Sequence, residues 1–562
     1  MRNIVGVSLI GLLAFCATEV HAQETTASVR GTVTANGEAV PGATVTVTHV
    51  PSGTISTTAT DRDGAFSSSG LRPGGPFTIT VVASGFGDYV VTDLSLTAGQ
   101  PLRIPIALES GASDIVVTAS RSRAVETSAG PITTISRDEI AGVATVNRDI
   151  RDIVRRDAFA TIDPGQGRGV MIAGQNARLN KFSVDGLAFS DDFGLNSGGL
   201  PTARGPVPID AIEQMSVKVA PYDITEGNFQ GGSINVILRS GTNRITGSAF
   251  YTYNSDALTG DRTKAGIASP TGRINLDFKS RNYGGFLSGP IIKDKLFIAA
   301  SYEKLREGTP IQIGTPGFPS VVPGLTNTQI DGVTSIARSI YNYDTLGVQS
   351  STLEEDEKYT VKLDWNIAEG QRLSATYIHN GSSNGSTAGV SSTVGASPAL
   401  GLQSNNYLRP EKIDSYVVQL SSDWSDRIHT EIRGNYRRYA VDPRPLGAAG
   451  FSQMQVCLDP TSALQLNGAV NADATLCSQG STAAPGAARL YLGTPAAFQF
   501  NFVHTRQIGG EALLRADLGT VTLKGTAAFN KLDVENAFTQ NALGSYYFDS
   551  LADFQARRAS SV

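Results

Sequence analysis

Between residues 358 and 437 the chain alternates apolar and polar positions. Tyr359, Val361, Leu363, Trp365 and Ile367 are separated by Thr360, Lys362, Asp364 and Asn366, the period of two expected of a strand with one greasy and one polar face. After Ala368-Glu369-Gly370 the pattern resumes at Leu373, Ala375 and Tyr377, which predicts a hairpin with a tight turn. Tyr416, Val418, Leu420 and Trp424 precede the short Ser425-Asp426 link. Ile428, Ile432 and Tyr436 then face opposite to His429, Glu431, Arg433 and Arg437. The same reading predicts strands at 246–254, 282–289, 295–303, 358–367, 371–380, 414–424, 427–438, 506–518 and 520–535. Short links fall near 290–294, 368–370, 425–426 and 519, and long loops at about 304–357, 381–413 and 439–505. Strands of about ten residues with short turns at one end and long loops at the other describe a transmembrane β-barrel with periplasmic turns and extracellular loops.

Two earlier segments have different patterns. Residues 24–109 alternate β-branched and polar residues, broken by NG, PG, SG and DG turns, which predicts a small β-sandwich. Its Asp61-Arg62-Asp63-Gly64 lacks the distal Glu of an EF-hand loop and is read as a hairpin turn. Residues 123–243 carry Ile150, Ile153 and Val154 at helical spacing, a strand entering a turn at Phe182 to Gly186, and a short helix passing into a strand over Ile209 to Val219. These features predict a mixed α/β domain large enough for its own core. Gly165-Gln166-Gly167-Arg168-Gly169 has no following Lys-Ser/Thr and is read as a loop, not a phosphate cradle. Between the two units lies a short β-prone strip, Asp114-Ile115-Val116-Val117-Thr118-Ala119. It is poised to add to the edge of another protein's sheet, or else forms the last strand of the sandwich.

Composition narrows the function classes. Charged residues are 17% of the 562, below the usual figure of about 25%. With 46 Lys+Arg against 51 Asp+Glu there is no basic excess to neutralise phosphates, so nucleic-acid binding is disfavoured. A hydrophobic share of 40% can build cores, which argues against disorder. The N-terminus has a basic Arg2, an apolar run from Ile4 to Ala17 and a Val20-His21-Ala22 cleavage site. This predicts a signal peptide over residues 1–22, because the run is shorter than the about 20 residues a spanning helix needs. Phe15 before Cys16 disfavours a lipoprotein. An exported chain without a later membrane helix can enter a bilayer only as a barrel. Cys457 and Cys477 fall in the longest loop of this exported chain, which predicts an extracellular disulfide. Five isolated histidines offer no metal site and no cofactor is expected. Neither G-x-S-x-G nor H-E-x-x-H occurs, and no convincing carboxylate pair, so the chain is not expected to be an enzyme.

Specific motifs then carry a resemblance. G-x-V at 31–33, P-G-A-T-V-T-V at 41–47, T-D-R-D-G-A-F at 60–66 and A-S-G-F at 83–86 resemble the carboxypeptidase regulatory-like domain. The strip 114–119 resembles the TonB box of TonB-dependent receptors. The ordered elements VDG at 184–186, DAIEQ at 210–214, APYD at 220–223, GGSINV at 231–236 and SGTN at 240–243 resemble the plug of their Oar-like branch. RNYGGFLSGPIIKDKLFIAASYE at 281–303 is similar to the first barrel strands of that branch.

The expected fold is mainly β: an N-terminal β-sandwich (24–109), a linker with a TonB-box-like segment (110–122), a mixed α/β plug (123–243) and an incomplete transmembrane antiparallel barrel (244–562). The resemblance implies an outer-membrane receptor importing a scarce small-molecule, peptide or carbohydrate ligand, with TonB pairing at residues 114–119 and supplying energy from the inner-membrane proton gradient. Ligand contacts are expected at Asp191, Asp192, Asn196 and Arg204, in the loop after Ser183-Val184-Asp185-Gly186, and at Gln166 and Arg168. Alternative readings are a surface adhesin, a secretion-linked protein or a non-functional fragment. Plug-containing barrels have about 22 strands, against nine here, and the terminal FDSLADFQARRASSV resembles a mid-barrel loop of the family. A C-terminally truncated chain is the expectation.

Overall fold

The computed structural model describes residues 24–109, 115–118, 130–143, 145, 148–163, 169–194, 196, 198–220, 222–227, 230–262, 272–273, 276–322, 324–388, 398–458, 488–518 and 521–560. The signal segment, Asp114, Ala119, Gln166, Arg168 and Cys477 lie outside them.

The sandwich packs a four-stranded sheet (Ala27–Ala35, Glu38–Ala39, Ala65–Leu71 and Pro101–Leu108) on a five-stranded one. The second has the order Thr54–Ala59, Thr44–His49, Gly74–Val82, Tyr89–Leu96, Ile115–Thr118. Alternate residues such as Val45, Val47, Phe77, Ile79 and Val81 point inward and are buried between the sheets, as the period of two demands. The strip at 115–118 runs parallel to Tyr89–Leu96, with Tyr89 opposite Ile115 and Thr92 opposite Thr118. It is therefore the edge strand of the sandwich in this structure.

The plug is built on a five-stranded mixed sheet, in the order Ile132–Ser136, Ile212–Lys218, Ser233–Leu238, Lys181–Val184, Leu187–Ala188. A single turn of 3-10 helix at Ile209–Ala211 leads into the second of these strands. The helix Ile150–Val154 starts at Asp149, whose carboxylate accepts the Arg151 amide at 2.9 Å, the N-cap arrangement. Ile150, Ile153 and Val154 enter the plug core together, as their spacing requires.

Nine antiparallel strands form the wall: Thr246–Ser255, Lys279–Ile292, Leu296–Pro310, Ser351–Ala368, Gln371–Ser386, Tyr407–Ser425, Ile428–Val441, Phe500–Leu518 and Val521–Thr539. Each pairs with the next, and the first and last are not joined among the described residues. The alternation has an inverted sense relative to a soluble sandwich. Leu363, Trp365 and Ile367 are 37%, 46% and 47% exposed, whereas Thr360 and Asp364, on the other phase of the same strand, are buried. The apolar face looks outward and the polar face covers the plug. Tyr377, Tyr416 and Tyr436 stand opposite one another on successive strands, with Tyr377 and Tyr416 stacked at 4.8 Å. Trp424 lies eight positions from Tyr416, near the turns, so the apolar band runs about 26 Å along the strand, or about 20 Å in height at a tilt of about 40°, approaching the band of an outer-membrane barrel.

Several wall strands are longer than the alternation predicted. The strand expected at 358–367 spans Ser351–Ala368 and the one at 506–518 spans Phe500–Leu518. Over Ser351–Lys358 both faces are largely polar, so hydropathy goes silent while the hydrogen-bond ladder continues, whereas Phe500, Phe502 and Val503 are apolar and lie within the stretch read as a long loop. The segments read as long loops are partly ordered into a cap. A four-stranded sheet of Ala399–Gly401, Arg489–Leu492, Gln453–Cys457 and Ser545–Phe548 packs with the helices Asn327–Tyr341 and Leu551–Gln555. The cap has its own apolar core, including Val333, Leu402, Val456, Leu490 and Phe554. No helix among the described residues is long and apolar enough to cross a membrane.

Candidate functional site: the plug against the wall

The plug hairpin Lys181–Val184/Leu187–Ala188 turns through Asp185 and Gly186, both with positive φ (45° and 78°). A two-residue turn of this kind favours Asp-Gly, which explains the residue types in the VDG element. Asp185 also anchors outward. One carboxylate oxygen accepts the Leu238 amide at 2.9 Å and the other takes the Lys362 ammonium of the wall at 2.9 Å.

The chain then runs along the charged inner face of the wall. Arg204 donates to Glu354 at 2.5 Å and to Glu307 at 3.0 Å. Burial alone would lower its pKa, but the Glu354 carboxylate beside it holds the guanidinium above its ordinary value. Asn196 donates to Glu411 at 3.2 Å, and the Ala203 amide reaches the same carboxylate at 3.1 Å. Asp192 pairs with Arg437, which also donates to the Ala188 carbonyl at 2.6 Å. Lys358 donates to the Gly205 carbonyl at 3.1 Å. Behind the loop, Arg151 joins Asp149 to the Ala203 carbonyl, at 2.5 Å and 2.7 Å. Burial pushes the Asp149 carboxyl up, but the Arg151 hydrogen bonds and charge outweigh it and bring its pKa down to about 2.

Of the residues expected to meet a ligand, Asp192, Asn196 and Arg204 thus face wall side chains. Asp191 shapes the loop by accepting the Phe193 and Asn196 amides at 3.2 and 2.6 Å. Sequence reasoning missed Glu307, Glu354, Glu411 and Arg437. The signal was present: Glu354 and Asp356 are in phase with Lys358 and Thr360, on the inward side of their strand. A charge on the inward phase of a barrel strand needs a partner from whatever fills the lumen.

The sandwich also touches the wall, near its turns. Arg30 pairs with Asp517 at 2.5 Å, and Glu24 receives Arg515 at 3.3 Å and Lys524 at 2.9 Å. Lys524 further bridges to Asp223 of the plug at 2.9 Å. Cys457 is disulfide-bonded. Among the described residues no group of three His, Cys, Asp or Glu could hold a metal ion.

Two known domain families match parts of this chain. Residues 28–109 match the carboxypeptidase regulatory-like domain, and residues 237–346 match an outer membrane beta barrel domain. The chain is 25% identical over 256 residues to the TonB-dependent transporter Oar of Myxococcus xanthus, an alignment covering 44% of this chain and 23% of that protein. The chain therefore spans about a quarter of that relative's length. Among solved structures, the outer membrane transporter YddB from Escherichia coli is similar over 74% of this chain and 50% of its own, at 11% identity and a TM-score of 0.49. The siderophore receptor PirA from Acinetobacter baumannii is similar over 73% and 48%, at 17% identity and a TM-score of 0.42. The chain is thus an outer-membrane protein related to the TonB-dependent transporter Oar, carrying a carboxypeptidase regulatory-like domain ahead of its outer-membrane β-barrel strands.

Proposed function

We propose that the protein is a TonB-dependent receptor that binds a scarce ligand at the cell surface and passes it to the periplasm with energy delivered by TonB. The observation that carries this reading is the loop from Asp185 to Gly205. It belongs to the plug, yet its polar groups are engaged by wall residues Glu307, Glu354, Lys358, Lys362, Glu411 and Arg437. Ion pairs of this kind can be exchanged for ligand contacts, because a polar ligand offers the same hydrogen bonds. In this reading Asp191, Asp192, Asn196 and Arg204, with Gln166 and Arg168, meet a small-molecule, peptide or carbohydrate ligand from the cap side. Occupancy then loosens the plug. Asp114 to Ala119 pair with TonB by strand addition, residues 24–109 form a periplasmic domain, 123–243 the plug and 244–562 the barrel.

Deleting residues 114–119 from the protein expressed at its own locus tests the proposal. Competitive growth on single scarce nutrients first names the ligand by the one on which a strain lacking the protein falls behind. Energised uptake of that nutrient is expected to disappear on deletion of the strip while surface labelling of the protein persists. Unchanged uptake by the deletion variant sinks the reading in favour of an adhesive role.

A further inference from the structure

A second chamber lies at the opposite end of the plug from the cap, where sandwich, plug and wall meet. Its volume is about 660 Å³, within the range of small-molecule sites. All three units contribute positive charge: Arg72 from the sandwich, Arg137 and Arg239 from the plug, Arg244 where the plug joins the wall, and Lys362 and Arg372 from the wall. Against these six cationic groups stand three carboxylates, Asp185, Glu213 and Asp364. The Asp185 carboxylate is already committed to Lys362 at 2.9 Å.

Asp364 lies among Arg72, Lys362 and Arg372, and Glu213 near Arg137 and Arg239, so three carboxylates offset only part of the charge of six cations. Arg72 is buried and spends its terminal nitrogens on the Gly241 carbonyl at 3.3 Å and Asn366 at 3.2 Å, while its Nε has no partner. Arg239 lies 3.4 Å over the Phe286 ring and donates to the Asp210 carbonyl at 3.1 Å. Burial lowers the pKa of both guanidinium groups to about 10, so each keeps its charge at neutral pH. His49, at the edge of the same chamber, is pushed down to about 3 by burial and then by Arg72 and Arg372, and is neutral. Arg137 and Arg244 are exposed, so the chamber opens to solvent on their side. A cavity walled by protein and rich in one sign of charge concentrates the opposite sign.

We propose that this chamber binds a small polyanion carrying two or more carboxylate or phosphate groups, held by Arg372 and Arg244 with Arg72 behind them. The chamber meets the Asp185–Gly205 loop only at the Asp185–Lys362 pair, and the proposal does not rest on the import reading. The full chain in detergent micelles, titrated calorimetrically with tripolyphosphate, citrate and uncharged sucrose, tests it. Binding of at least one anion with Kd below about 1 mM is expected, weakening as salt rises. The Arg372→Ala/Arg244→Ala variant loses about tenfold in affinity, whereas Arg372→Lys, which keeps the charge, stays within about threefold of the parent. Lys412→Ala, on the outward face, leaves binding unchanged. Preference for tripolyphosphate or citrate separates phosphate from carboxylate ligands. Heat from sucrose equal to that from the anions, no heat from either anion, or an unaltered affinity in the folded double-alanine variant overturns the proposal.

Discussion

Arg204 on the plug loop donates its Nε hydrogen to Glu354 on the wall at 2.5 Å, across 150 positions of sequence. A second nitrogen of the same guanidinium reaches Glu307 on the neighbouring strand at 3.0 Å. One side chain therefore ties the plug to two adjacent strands. Arg204→Ala leaves both carboxylates facing the lumen without their cation. The Arg204 side chain is 7% exposed and its partners 27% and 29%, so solvent screening reduces the cost below that of a fully buried pair, to about 2 kcal/mol. Limited proteolysis of the loop and urea titration of the plug should show that loss, and Glu354→Gln should show a smaller one.

The outward face supplies a second prediction. Leu363 lies within the apolar band and Arg306 beyond the tyrosine row, 66% exposed and 3.2 Å from Glu355. Leu363→Arg places a charge against lipid and should cost about 3 kcal/mol of folded stability in the bilayer. Arg306→Glu should change it by less than about 1 kcal/mol. Folding titrations in lipid vesicles, read by heat-modifiable gel mobility, measure both.

A pH dependence is expected in the sandwich. His49 has a folded pKa of about 3, lowered by burial and by the Arg72 and Arg372 charges, against about 6.5 when unfolded. A depressed pKa means the unfolded state binds the extra proton. The stabilising contribution is complete above about 6.5 and is lost as pH falls toward 3, by up to about 1.4 kcal/mol per pH unit. Urea midpoints of the parent between pH 7.5 and 4.5 (about three pH units) should fall more steeply than those of His49→Gln.

Gly31 offers a packing test. A Cβ there would stand 2.1 Å from the Ile104 carbonyl oxygen and 2.5 Å from the Phe66 ring. The carbonyl belongs to the paired strand Pro101–Leu108 and cannot step aside. Gly31→Ala should therefore destabilise the sandwich by about 2 kcal/mol, seen as a lower denaturation midpoint.

Much of the wall is legible in the residue pattern because membrane strands obey one rule, apolar toward lipid and polar toward the lumen. Tyr359 to Ile367 display it without interruption. The rule fails where both faces meet water, so the pattern stops near residue 358 while the strand begins at Ser351. The cap was not legible as a unit. Its core joins Val333, Leu402, Val456, Leu490 and Phe554, drawn from segments far apart in sequence. Each piece alone is too short to show a period. The strip at 115–118 permitted two readings, and its β-prone residues suit either an internal or an external partner. Backbone pairing with Tyr89–Leu96 makes it the sandwich's edge strand in this structure.

Sequence alone determined whatever depends on local chemistry: period-two strands, the Asp185-Gly186 turn, the helical spacing of Ile150, Ile153 and Val154, and a chain with no basic excess. Only the tertiary structure decided which charges meet. Lys362 finds Asp185, Arg437 finds Asp192, and Arg204 finds Glu354 and Glu307. The physical reason is that an ion pair depends on separation in space and on shielding from water, and neither quantity is a function of distance along the chain.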